Sequence, residues 1–151
     1  MAFRGVDTIN LDGKGRFSIP TKYRAELQEI CECKLVVNAD RGRFLVLYPL
    51  PLWEVVETKL KELPTLNKTA QEFRRFMVGY ASQCDMDGHG RILLPEKLRN
   101  FAGLDKRIVL MSQIDRFEIW AENAWENNVD AWLQADDESE EMKKVAASLV
   151  I

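Results

Sequence analysis

Leu11-Asp12-Gly13-Lys14-Gly15-Arg16-Phe17-Ser18-Ile19-Pro20-Thr21-Lys22-Tyr23-Arg24 returns 75 residues later as Met86-Asp87-Gly88-His89-Gly90-Arg91-Ile92-Leu93-Leu94-Pro95-Glu96-Lys97-Leu98-Arg99. Seven of the fourteen positions are identical, and they are Asp, Gly, Gly, Arg, Pro, Lys and Arg. Such residues shape turns and carry surface charge rather than fill cores, so the duplicated object is a loop of defined form bearing an arginine. A loop used twice predicts a molecule that touches its partner twice.

Outward from that stretch, each copy extends into a longer unit. Val6 to Leu11 reads as a strand ending at Asp12-Gly13, a strong hairpin signal, and Arg16 to Ile19 resumes as a strand with Phe17 and Ile19 on one face. Pro20 closes it. From Thr21, placed to act as cap, the spacing of Tyr23, Leu27 and Ile30 is helical. Lys34 to Asn38 and Arg43 to Tyr48 then flank Ala39-Asp40-Arg41-Gly42 as a second hairpin, matched later by Arg107 to Ser112 and Arg116 to Trp120 around Gln113-Ile114-Asp115. Each unit ends in a helix, with Trp53, Val56, Leu60 and Leu63 in the first and Trp125, Val129, Trp132 and Leu133 in the second.

Between the units, Pro64-Thr65-Leu66-Asn67 breaks one helix and Lys68 to Tyr80 forms another, striped by Phe73, Phe76, Met77 and Tyr80. That stripe serves either the core or a subunit interface, and packing is the commoner use. The order divides the chain into a first unit over 5–53, a helical hairpin over 54–80, a second unit over 82–125 and an acidic tail over 134–151, predicted to fray apart from a last helical turn.

At 151 residues, with 46% hydrophobic and 30% charged residues, the chain suits one globular α+β domain or two half-sized units sharing a core. No apolar run approaches the roughly 20 residues needed to span a bilayer, and Met1-Ala2-Phe3-Arg4-Gly5 lacks a signal-peptide stretch. These features predict a cytosolic protein with no membrane partner. Cys31, Cys33 and Cys84, with the sole histidine His89, could supply four metal ligands, but C-x-C is not the usual structural-zinc spacing. Small buried side chains and no metal are expected instead.

The net charge of −3 would ordinarily weigh against nucleic acid. Its distribution matters more. After Gln134, five acids (Asp136, Asp137, Glu138, Glu140, Glu141) stand against Lys143 and Lys144, which leaves the preceding body formally neutral. Within it, residues 12–24 hold Lys14, Arg16, Lys22 and Arg24 and one acid, Asp12.

Asp12 and Arg16 sit at the two ends of a tight turn, as do Asp87 and Arg91, so the carboxylate can orient the guanidinium. As a bare exposed ion pair this is worth well under about 1 kcal/mol. As a recognition device it presents the fork that fits phosphate or the guanine O6/N7 edge, on a ribbon narrow enough for a major groove. His89 in place of Lys14 removes a fixed charge, so the first loop is expected to bind more strongly. Nucleotide-binding loops do not match, since G-x-G-R fits neither phosphate-binding fingerprint and leads into a strand. No nucleophile with a base is present, so no enzyme, cofactor or small-molecule substrate is expected.

The tandem Asp-x-x-x-Arg pattern, Asp12/Arg16 and Asp87/Arg91, resembles the MraZ family of bacterial transcriptional regulators. Asn10-Leu11-Asp12, Ile19-Pro20, Tyr23-Arg24 and Leu47-Tyr48-Pro49-Leu50-Pro51 extend the likeness, which runs from Phe3 to about Trp132. It implies two SpoVT-AbrB-like units fused into one pseudo-twofold, swapped-hairpin β-barrel with flanking helices. It further implies ring-shaped homo-oligomers that act in the nucleoid. The implied role is repression of the division and cell-wall gene cluster through direct repeats in promoter DNA. Arg16 and Arg91 would then be the main DNA contacts, oriented by Asp12 and Asp87 and assisted by Lys14, with Lys22 and Arg24 nearby. The alternative is a ring-forming interaction protein whose loops bind acidic protein partners.

Overall fold

The computed structural model describes residues 2–135 and 139–149. The first unit supplies β1 (Phe3–Asn10), β2 (Arg16–Ser18), α1 (Thr21–Cys31), β3 (Leu35–Ala39), β4 (Leu45–Pro49) and α2 (Leu50–Lys61). α3 (Lys68–Tyr80) leads to β5 (Ser82–Gln83), β6 (Arg91–Leu93), α4 (Glu96–Phe101), β7 (Arg107–Ile114), β8 (Phe117–Ala121), α5 (Glu122–Gln134) and α6 (Glu140–Ala147). Helices and strands are mixed, as an α+β reading requires.

Six strands form an antiparallel sheet in the order β1-β7-β8-β4-β3-β5, and β2 pairs with β6 as a separate two-stranded ribbon. The two units exchange strands. β1 of the first lies on β7 of the second, while β5 of the second lies on β3 of the first. In the ribbon, Arg16 faces Leu93, Phe17 faces Ile92 and Ser18 faces Arg91, so the repeat offset of 75 maps the ladder onto itself about the Phe17–Ile92 pair. Flanking bonds obey the same exchange: Ile19 N donates to Gly90 O and Leu94 N to Gly15 O, each at 2.8 Å.

The strands beside Asp12-Gly13 therefore turn at the expected place without pairing with each other in a hairpin ladder. β2 is three residues long and buries Phe17 by meeting its equivalent Ile92, whereas β1 gains an eight-residue ladder on β7. β1 also begins at Phe3, earlier than Val6, because β7 continues to Ile114 and supplies partners that far.

β3 and β4 are buried throughout, as strands covered on both faces should be. One face of the sheet packs Leu35, Val37, Leu45, Leu47, Ile108, Leu110, Phe117 and Ile119 against the ribbon, α1 and α4. Val36, Val46 and Tyr48 point the other way, toward Trp53 and Leu60 of α2. Alternate residues thus serve two cores, and the ribbon closes the larger one.

Three details depart from the sequence reading. Thr21 is not the cap of α1, because Pro20 occupies that position and no side chain caps the helix; Thr21 is its first residue. On α3, Phe76, Met77 and Tyr80 pack partly against the two cores, while Phe73 stays exposed and no α3 residue is fully buried. The tail carries a two-turn helix, α6, rather than one last turn, because the Ser139 side chain accepts from Met142 N at 3.2 Å and Glu140 and Glu141 sit favourably in its first turn. Asp136, Asp137 and Glu138 of the acidic run lie outside the described residues.

Candidate nucleic-acid interface

Each repeated turn is held by one carboxylate. Asp12 Oδ1 accepts from the backbone N–H of Lys14 and of Arg16, both at 2.9 Å, and Asp12 Oδ2 accepts from Arg16 Nε at 2.9 Å. Asp12 N donates to Arg16 O at 2.9 Å and Gly15 N to Asp12 O at 3.0 Å, closing the loop. Asp87 repeats this with His89 N, Arg91 N and Arg91 Nε at 2.9, 2.9 and 3.2 Å. The Arg16 backbone amide, then its guanidinium and the Lys14 amide, stabilise the charged carboxylate and pull the Asp12 pKa down to about 2. The Asp87 pKa is lowered for the same reasons, the Arg91 amide foremost.

Since the carboxylate takes Nε, the terminal nitrogens of Arg16 and Arg91 have no protein partner among the described residues. The arginine side chains keep 37% and 41% of their surface in solvent, so each is held yet available. An ion pair this exposed adds little stability; its consequence is orientation.

Gly15 is required by the backbone. Its φ is +92°, and a Cβ there would lie 2.9 Å from Leu94 O and 2.5 Å from Arg99 Nε. Gly90 has φ +78° and lies against Arg24 in the same manner. Each turn is thus braced by the arginine that ends the other unit's repeat. Arg24 Nε donates to Ile19 O at 2.8 Å and Arg99 Nε to Leu94 O at 3.1 Å. Arg24 therefore has a structural duty that spacing alone did not reveal. Lys22 is also committed: its ammonium pairs with Asp7 Oδ1 at 3.2 Å, which raises its pKa, and lies 5.1 Å from the Tyr23 ring.

The ribbon turns two separate loops into one surface. Phe17 and Ile92 point into the core, so Arg16, Ser18, Arg91 and Leu93 share the outer face. Arg16 and Arg91 are diagonal neighbours on that face, about 7–8 Å apart. Ser18 and Leu93 fill the other diagonal.

The face is unequal about its axis. At the tip, Lys14 of the first turn corresponds to His89 of the second. Beside the first turn, Leu11 N donates to Lys106 O at 2.8 Å and brings exposed Lys106 close; the equivalent bond from Met86 N reaches Cys33 O at 2.9 Å. Lys106 lay far from the repeat in sequence, and only the strand exchange puts it there.

A third turn has the same backbone. Asp40 N donates to Phe44 O, Arg43 N to Asp40 O, and Gly42 N to Asp40 Oδ2, with Arg43 at φ +64°. Phe44 stands where the other two have arginine, and stacks on Trp120 with centroids 4.3 Å apart. The turn geometry is thus a general tool, and the arginine is what distinguishes the repeated pair.

Cys31 and Cys84 lie in the core, apart from this face, while Cys33 borders the second turn through its carbonyl. Cys31 and Cys84 are buried, and burial raises both thiol pKa values, that of Cys84 to about 12. Among the described residues, no group of three or more His, Cys, Asp or Glu side chains is placed to hold a metal. No helix among them is long and apolar enough to cross a membrane.

A family model described as "MraZ protein, putative antitoxin-like" matches the chain twice in tandem, over residues 2–76 and 77–146. The chain belongs to the MraZ family. A relative from Thioalkalivibrio sulfidiphilus, named "Transcriptional regulator MraZ", is 46% identical over 147 residues, covering 97% of this chain and 98% of its own. One of the same name from Methylococcus capsulatus is 49% identical over 132 residues, 87% of each chain. The MraZ match thus spans both turns and the ribbon that joins them.

Proposed function

We propose that the chain is a sequence-specific DNA-binding regulator of transcription that reads promoter DNA through the β2–β6 ribbon. The observation that carries the reading is the shared face of Arg16 and Arg91, each fixed through Nε by its own aspartate, with terminal nitrogens that have no partner among the described residues. A protein-bound guanidinium in that state suits phosphate oxygens or the guanine O6/N7 edge. Asp12 and Asp87 orient the arginines, Lys14 adds a mobile charge, and Lys22 and Arg24 offer secondary phosphate contacts beside their structural partners.

An unequal face reads an unequal element. Where several such faces act together in one orientation, their target is a direct repeat rather than a palindrome. A single face neutralises only about two to four phosphates, so alone it binds weakly and with steep salt dependence. Assembly of copies into a ring supplies the remainder, because linked sites raise avidity by roughly 10²–10⁴ when their spacing matches the DNA. In this reading the chain is a cytoplasmic, nucleoid-associated repressor of the division and cell-wall gene cluster.

The test is a mobility shift on a direct-repeat promoter duplex, with a scrambled duplex and a salt series, alongside sedimentation of the free protein. Preference for the repeats with a steep salt slope is the expected result. Equal, salt-insensitive binding to both duplexes would remove the reading.

A further inference from the structure

Leu93 is an exposed apolar side chain on the same ribbon face as the two oriented arginines. It is 56% exposed, faces Arg16 across the ribbon and lies two residues from Arg91 on its own strand. It belongs to neither core cluster, so folding does not call for its side chain. The exchange that maps the ribbon onto itself puts Ser18 at the equivalent position, and Ser18 is exposed as well. The fold therefore accepts a serine at this place in one unit and displays a leucine in the other.

We infer that Leu93 is a specificity-determining residue that seats against the 5-methyl group of a thymine while Arg16 and Arg91 engage the flanking DNA. This rests on the DNA-reading role proposed above. Thymine is the one base that offers an apolar group in the major groove, and apolar side chains recognise it by contact. A leucine on one diagonal of a face whose other diagonal is two arginines matches a target edge that mixes a methyl with hydrogen-bond acceptors. Because Ser18 has no methyl to offer in return, the contact exists on one side of the axis only. It gives the face a direction on DNA.

The experiment starts from duplexes enriched out of a random pool by the full-length protein. Each thymine of an enriched duplex is replaced in turn by deoxyuracil, which removes the methyl and leaves the pairing unchanged. For the unmodified protein, one replacement should weaken binding about three- to fivefold, the scale of one buried methyl. For Leu93→Ser and Leu93→Ala, thymine and deoxyuracil at that position should bind equally, with thermal stability unchanged. Deoxyuracil without effect at every position, or with the same effect in the variants, would overturn the role of Leu93 while leaving DNA reading intact. Failure of the protein to enrich any sequence would overturn both.

Discussion

The two Asp-x-x-x-Arg turns share a frame and differ in what the frame presents. Around residues 12–16 and 87–91 the backbone bonds agree to 0.1 Å or better, and each turn rests on an arginine from the other unit. Yet the first displays Lys14 with Lys106 beside it, where the second has His89 and Cys33. The outer ribbon face repeats the contrast with Ser18 against Leu93. The two copies agree where the fold is held and differ at exposed positions, which is the pattern expected if a shared scaffold carries the two unequal halves of the proposed recognition face.

The sharpest way to break the claim of equal frames is at the glycines. Gly15→Ala and Gly90→Ala each force a side chain into the left-handed region and against an arginine, and should each cost about 1–3 kcal/mol by urea denaturation. Losses of very different size would show that the frames are not equivalent. Next in size are the carboxylates. Asp12→Ala frees the Arg16 fork and should weaken DNA binding roughly two- to tenfold, with a smaller loss for Asp87→Ala, measured by fluorescence anisotropy at fixed salt.

A gentler change tests the inequality directly. His89→Lys gives the second turn the charge of the first, so binding should tighten a few-fold and the logarithmic salt slope should steepen by about one. An unchanged slope would mean that the tip of the second turn does not reach DNA. The smallest effect is with pH. The Asp12 pKa is lowered from 3.8 to about 2, so its contribution to the turn is complete above pH 3.8 and lost as pH falls through about 2. The Arg16 amide resonance should shift only in that acid window, and Asp12 should add nothing to the pH dependence of binding between pH 5 and 8.

Much of this was legible in the sequence because it is local. The turns declare themselves through Asp, Gly and Arg at fixed spacing, and the Asp12–Arg16 contact follows from four residues of chain. The pairing of β1 with β7 is not local: Phe3 to Asn10 carries no mark that its partners, Ile114 to Arg107, lie in the other unit. For the same reason Arg24 read as a basic site residue, while its place against Gly90 depends on the strand exchange. A lone lysine and a lone leucine carry no signature in sequence: Lys106 gains its place beside the first turn only through the pairing of β1 with β7, and Leu93 its place opposite Arg16 only through the ribbon. Thr21 starts the helix instead of capping it for a local reason, since Pro20 already supplies the extended backbone that precedes the helix.

The most direct measurement of the central claim compares Arg16→Ala and Arg91→Ala on one enriched duplex at matched salt, with sedimentation confirming that assembly is unchanged. A single unequal face predicts that both variants lose affinity, Arg16→Ala by tenfold or more and Arg91→Ala by clearly less, on the roughly 1–3 kcal/mol scale of a guanidinium fork on a base edge. Equal losses would contradict the inequality of the two turns, and no loss from Arg16→Ala would contradict the interface itself.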